Sequence, residues 1–197
     1  MKSFKKAFKE QDLYYTPKIL VEILKPFLEK YVLKDKIILC PFDTQESEYV
    51  KCLTNWGYTV KFGSLETGED FFKYDYGDYD IVISNPPFSK KKHIYKKLFE
   101  LNKPFFLLGN LMQINYQEIG ELFFNKEPQV QMIIPDKKVS FDGNTSSFCS
   151  GYFCWNIIPK TEYVHISHNN SKRNYGLENS YSVNPLKNCQ ELQSFKR

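Results

Sequence analysis

The chain has 197 residues, 42% of them hydrophobic and 17% aromatic, enough apolar mass to bury the core of one domain and too much for a disordered polypeptide. Its formal net charge of +4, from 27 Lys+Arg against 23 Asp+Glu, permits contact with a polyanion and argues against an acidic nucleic-acid mimic. No run approaches the ~18 apolar residues of a membrane span, and Met1–Lys6 lacks the apolar core of a signal peptide, so a cytoplasmic protein is expected with no membrane partner.

Residues 12 to about 31 read as the first helix: Thr16 suits an N-cap, Pro17 the first turn, and Ile19, Leu20, Ile23, Leu24, Phe27 and Leu28 recur at helical spacing. A strand over Lys36–Cys40, a helix over Ser47–Trp56 and a strand over Tyr58–Phe62 follow. Tyr79–Ser84 reads as a third strand, Ser89–Asn102 as a helix, Pro104–Leu108 as a strand and Tyr116–Phe124 as a helix, with late β segments near Val130–Pro135 and Ser147–Ile158. Strands alternating with helices at this spacing predict an α/β fold: a mostly parallel sheet with helices on both faces and an antiparallel edge from the late pair.

After Pro159 the composition turns to Asn, Ser, Lys and His, which predicts an ordered domain over 1–158 and a polar, poorly packed tail over 159–197. His165 and His168 have a ligand spacing on a helix, but no third ligand is near and they read as surface residues. The five cysteines are odd in number, form no Cys-x-x-Cys pair and lack histidine partners, so reduced thiols are expected in place of a zinc site or disulfides, and no metal.

The stretch Asp80-Ile-Val-Ile-Ser-Asn-Pro-Pro-Phe88 carries the most chemistry. Ile81, Val82 and Ile83 form a β-branched run suited to a strand buried on both faces. The strand must end at Asn85, because two successive prolines supply no N–H and hold the residue before each extended. The Asn85 side-chain oxygen and the Pro86 carbonyl then become acceptors with no sheet partner, and Phe88 adds an aromatic face. Two acceptors beside an aromatic plane fit an exocyclic amino group on a base, placed where ligands of open α/β sheets lie.

This motif and its setting resemble the target-amine motif of S-adenosylmethionine-dependent methyltransferases acting on exocyclic amines, most closely the adenine-N6 DNA enzymes. The resemblance implies a Rossmann-like methyltransferase fold, S-adenosyl-L-methionine as cofactor, and Asn85, Pro86 and Phe88 as the catalytic residues. The Asn form of the motif also occurs in enzymes that methylate guanine or a protein glutamine, so amine methylation of RNA or protein stays open.

The family order also assigns cofactor positions. Tyr14-Tyr15-Thr16-Pro17 matches the aromatic-x-Thr-Pro segment bordering the amino-acid end of the cofactor, implying Tyr15, Thr16 and Pro17 as contacts. The loop after the first strand, Cys40-Pro-Phe-Asp-Thr-Gln-Glu-Ser-Glu48, departs from the family because it has no glycine, where a close backbone approach to the cofactor is normal. Pro41, Asp43 and Ser47 are the implied contacts there. Asp43, Glu46 and Glu48 could attract an ammonium or sulfonium group, although Asp43 or Thr44 could as well be a helix cap. The loop has a loose likeness to a glycine-poor subgroup found with restriction systems and prophages. Glu66 stands near the position that holds the ribose, and Asp70-Phe71 matches the pair that brackets the cofactor adenine.

Lys90, Lys91 and Lys92 follow the motif directly and are expected to bind phosphates flanking an extruded base, although a solvated helix face explains the same run. The chain has little length for a separate target-recognition region. The expected partner is nucleic acid, most readily DNA, with relaxed specificity or a protein partner supplying sequence recognition. A catalytically silent relative that only binds stays open on account of the glycine-free loop.

Overall fold

A computed structural model of the chain describes residues 15–141, 149–168 and 181–184. The strands are β1 (Ile37–Cys40), β2 (Thr59–Phe62), β3 (Ile81–Ser84), β4 (Phe105–Asn110), β5 (Gln131–Pro135), β6 (Ser150–Trp155), β7 (Glu162–His168) and β8 (Tyr181–Asn184). They form one sheet in the order β2-β1-β3-β4-β6-β5-β7-β8. β2, β1, β3 and β4 pair in parallel, β6 runs antiparallel between β4 and β5, β7 is parallel to β5, and β8 closes the edge antiparallel to β7. This is the expected Rossmann-like α/β arrangement, parallel on its early side and with its antiparallel pairings among the late strands.

The helices are α1 (Lys18–Glu22), α2 (Lys25–Tyr31), α3 (Glu48–Asn55), α4 (Lys91–Glu100) and α5 (Gln117–Phe124). They cover both faces, as the alternation along the strands shows. Ile38, Cys40, Ile81, Ile83, Phe106, Leu108, Tyr152 and Cys154 face α1, α2 and α3, packing with Leu20, Leu24, Leu28, Tyr49 and Leu53. Leu39, Val82, Phe105, Leu107, Phe153 and Trp155 face the other way, against Ile94, Tyr95, Leu98 and Phe99 of α4 and Ile119 of α5. Asp80 pins the start of the central strands: its carboxylate accepts from the Ile37 amide at 2.8 Å and from Lys36 Nζ at 3.1 Å. That backbone hydrogen bond, with the Lys36 charge, holds the Asp80 carboxyl below its ordinary range.

Three expectations about local structure need correction. The single first helix is two, because Pro26 has no N–H to donate to Glu22 and instead suits the first turn of α2. Thr16 does not cap it, since Pro17 holds the N-cap position and Thr16 is buried. β7 lies within the segment expected to be a poorly packed tail, with Val164 and Ile166 buried while Tyr163 and His165 are exposed. Over the part of β7 whose burial is described, Val164 and Ile166 face inward, and the exposed Tyr163 and His165 beside them hide the period. β8 also lies beyond residue 158, and residues 169–180 and 185–197 of the proposed tail are outside the described residues. His165 therefore sits on a strand, with Nδ1 2.5 Å from Asp136 Oδ2.

Candidate active site

The carboxyl ends of β1, β2 and β3 converge on Asp43. The chain leaves β1 through the buried Pro41 and the half-buried Phe42, then turns back so that Asp43 bridges to Gly63 just beyond β2. The Asp43 amide donates to the Gly63 carbonyl at 3.0 Å, and the Gly63 amide donates to the Cys40 carbonyl at 3.3 Å. Across the gap a side chain fits poorly at position 63, where a Cβ would lie 3.0 Å from both Glu69 and Tyr76.

The Asp43 carboxylate is buried and accepts hydrogen bonds from the hydroxyls of Ser84 and Ser47. Ser47 serves twice, since its oxygen also accepts from the Val50 amide at 3.2 Å and so caps α3. Helix capping belongs to Ser47, and the Asp43 side chain is turned into the site. Burial pushes the Asp43 carboxyl up to about 7, against the opposing effect of the two serine hydrogen bonds. A carboxyl in that state gains from a cation placed beside it. Thr16 is buried in the same region, where its hydroxyl bonds to Tyr49. The Tyr49 and Tyr152 hydroxyls are 2.8 Å apart, and Tyr152 donates to the Leu20 carbonyl at 2.8 Å. Burial raises both phenols well above their ordinary range.

Ser84 joins this region to the Asn-Pro-Pro-Phe turn, being the last residue of β3 and the neighbour of Asn85. Sequence reasoning does not single it out; the available signal is one hydroxyl at the end of the apolar run Ile81-Val82-Ile83. The chain is irregular over 85–87 and enters a 3₁₀ turn at Phe88–Lys90 that leads into α4. Asn85 is half-buried and Pro86 buried, and none of the hydrogen bonds among the described residues uses the Asn85 side-chain amide or the Pro86 carbonyl. Phe88 is 44% exposed. On the neighbouring strand Asn110 ends β4, and its side chain accepts from the Met112 amide at 3.0 Å. The segment it caps, Leu111–Asn115, exposes Met112 and Ile114, followed by exposed Tyr116.

The remaining sequence-derived positions divide. Pro17 is half-buried at the start of α1, while Tyr15 is exposed. Glu66 is exposed on a 3₁₀ turn (Leu65–Thr67) after β2. Asp70 is tied into its own turn, with its carboxylate accepting from the Phe72 amide at 3.0 Å and ion-paired with Lys73 Nζ at 3.9 Å. Phe71 is buried in the α4-side core, edge-on to Phe42 with ring centroids 5.2 Å apart, and it is Phe72 that is exposed. Glu46 is drawn off by Lys51 at 3.0 Å. The three lysines do not act as one group: Lys90 and Lys92 are exposed, Lys92 pairs with Glu118 at 2.8 Å, and Lys91 is buried. Residues 142–148, between β5 and β6, lie outside the described residues.

Residues 70–142 match the family model of the adenine-specific methyltransferase EcoRI. The match takes in β3, the Asn-Pro-Pro-Phe turn, α4, β4, α5 and β5. It stops short of the β1 loop, so Asp43 and Ser47 stand on geometry alone. No curated protein matches the chain. Among the described residues no cluster of His, Cys, Asp or Glu is arranged to hold a metal ion, and no helix is long and apolar enough to cross a membrane.

Proposed function

We propose that the chain is an S-adenosylmethionine-dependent methyltransferase acting on an exocyclic amine, adenine N6 in DNA. The observation that carries this reading is the Asn85–Phe88 turn, set at the carboxyl end of β3 inside the segment similar to an adenine-specific methyltransferase family and joined through Ser84 to the buried Asp43. The cofactor supplies a methyl group on a sulfonium centre. The donor set fits it: Asp43 is a buried carboxyl poised to ionise beside a cation, Ser47 is bonded to it, and Thr16 is a buried hydroxyl on Tyr49.

An aromatic amine is a weak nucleophile because its lone pair is delocalised into the ring. The Asn85 side-chain oxygen and the Pro86 carbonyl accept its two N–H bonds, draw the nitrogen toward tetrahedral geometry and orient its lone pair. Phe88 stacks on the base and offsets part of the cost of extruding it, on the order of a few kcal/mol against about 1–3 kcal/mol of stacking. Exposed Lys90 and Lys92 meet the flanking phosphates.

The glycine-free β1 loop favours a second reading, a methyltransferase-like protein that binds nucleic acid or a protein partner without catalysis. Calorimetry with S-adenosylmethionine separates the two. The proposal expects binding that Asp43→Ala weakens; no binding at millimolar cofactor, with or without nucleic acid, supports the silent reading. Nucleosides from treated RNA, and peptides from treated protein, test the alternative substrates.

A further inference from the structure

We propose that Lys91 is a positioning residue that fixes the plane of the Phe88 ring against which the target base stacks; this rests on the reading of the Asn85–Phe88 turn given above. Lys91 is the first residue of α4, where the positive end of the helix dipole disfavours a cation, and it is nonetheless only 5% exposed. Lys90 and Lys92 on either side are exposed, so the inward course belongs to this side chain and not to the segment.

Its ammonium lies 4.1 Å from the centroid of the Phe88 ring, within cation–π range. Behind it stands the end of β4. A Cβ at Gly109 would lie 3.1 Å from Lys91 Nζ and 2.6 Å from Gln113 Nε2, so the absence of a side chain at 109 makes the space that the ammonium and the Gln113 amide share. Gln113 is buried and donates to the Tyr95 hydroxyl at 3.0 Å, and Tyr95 is the next turn of α4. The ammonium is thereby seated between the Phe88 ring and a wall made by Gly109 of β4 and Gln113 of the 3₁₀ turn that follows it. A cation beneath one face of a half-exposed ring adds to what holds that ring in place, so less rotamer freedom is lost when a base arrives.

Two measurements test this. In protein with ¹³C-labelled phenylalanine rings, the Phe88 signals are identified by their loss in Phe88→Leu; Lys91→Met, which keeps the stem and removes the charge, is expected to shift and average them, and Lys91→Arg to preserve them. With DNA from cells lacking adenine methylation as substrate, Lys91→Met is expected to lower methyl transfer about 10-fold or more with cofactor affinity unchanged. Lys91→Arg retains most of the activity, and Phe88→Leu/Lys91→Met falls no further than Phe88→Leu. Gly109→Ala, which intrudes on the ammonium, is expected to resemble Lys91→Met. Unaltered Phe88 signals in Lys91→Met, or a double variant showing the full product of both losses, overturns the proposal. Full activity in Asn85→Ala refutes the reading of the turn instead, and the ring signals still decide the role of Lys91.

Discussion

Replacing Asp43 with Asn tests the buried carboxyl at the centre of the site. Burial raises this group from an ordinary 3.8 to about 7, so the folded protein retains a proton that the unfolded chain releases three units lower. The contribution to stability is complete below the unfolded value and is lost as pH rises toward the folded one. At about 1.4 kcal/mol per unit, wild type forfeits on the order of 4 kcal/mol between pH 4 and pH 7, as an upper figure. Asn keeps the shape and cannot ionise, and the Ser47 and Ser84 hydroxyls can rotate to suit its amide. Urea denaturation of both proteins from pH 4.5 to 8 reads the effect as a difference in stability that grows in favour of the variant up to about pH 7 and then levels. The same variant binds S-adenosylmethionine more weakly, because the cation loses its counter-charge. Parallel stability curves across this range would refute a proton held on Asp43.

Tyr152→Phe removes the donor to the buried Leu20 carbonyl and one partner of Tyr49, and is expected to cost about 1–3 kcal/mol in denaturant melts. Gly151→Ala places a Cβ 2.9 Å from the Ile133 carbonyl oxygen, a backbone atom in a neighbouring strand that cannot swing aside; a destabilisation of about 1–3 kcal/mol is expected by the same assay. Lys90→Ala/Lys92→Ala is expected to weaken DNA binding and flatten its salt dependence, by about 0.9 in logarithmic slope for each phosphate no longer neutralised, read from titrations at several salt concentrations.

The parts of the fold legible in the sequence are those with a strong period. β1, β3 and β4 are apolar runs, and the α4 pattern of Ile94, Tyr95, Leu98 and Phe99 declares its buried face. β7 escapes because two aliphatic residues among polar ones leave a short alternation indistinguishable from a loop. At the site, the Asn85–Phe88 turn is legible because consecutive prolines dictate backbone geometry locally. Asp43 is legible only as a residue type in a loop of several carboxylates. What singles it out is tertiary: Ser84, 41 residues away, donates to it, while Lys51 draws Glu46 outward. The inward turn of Lys91 is illegible for the same reason, since three consecutive lysines carry no mark of which one faces Gly109.

The central claim, that the Asn85–Phe88 turn presents an amine for methylation, is tested most directly by nucleoside mass spectrometry of unmethylated DNA incubated with S-adenosylmethionine and either wild type or Asn85→Ala. The account predicts N6-methyladenine from wild type and a loss of at least ~10²-fold in Asn85→Ala, the scale for removing one oriented polar group at a reacting centre, with cofactor affinity little changed. No N6-methyladenine from wild type that binds cofactor, or an Asn85→Ala variant as active as wild type, would contradict it.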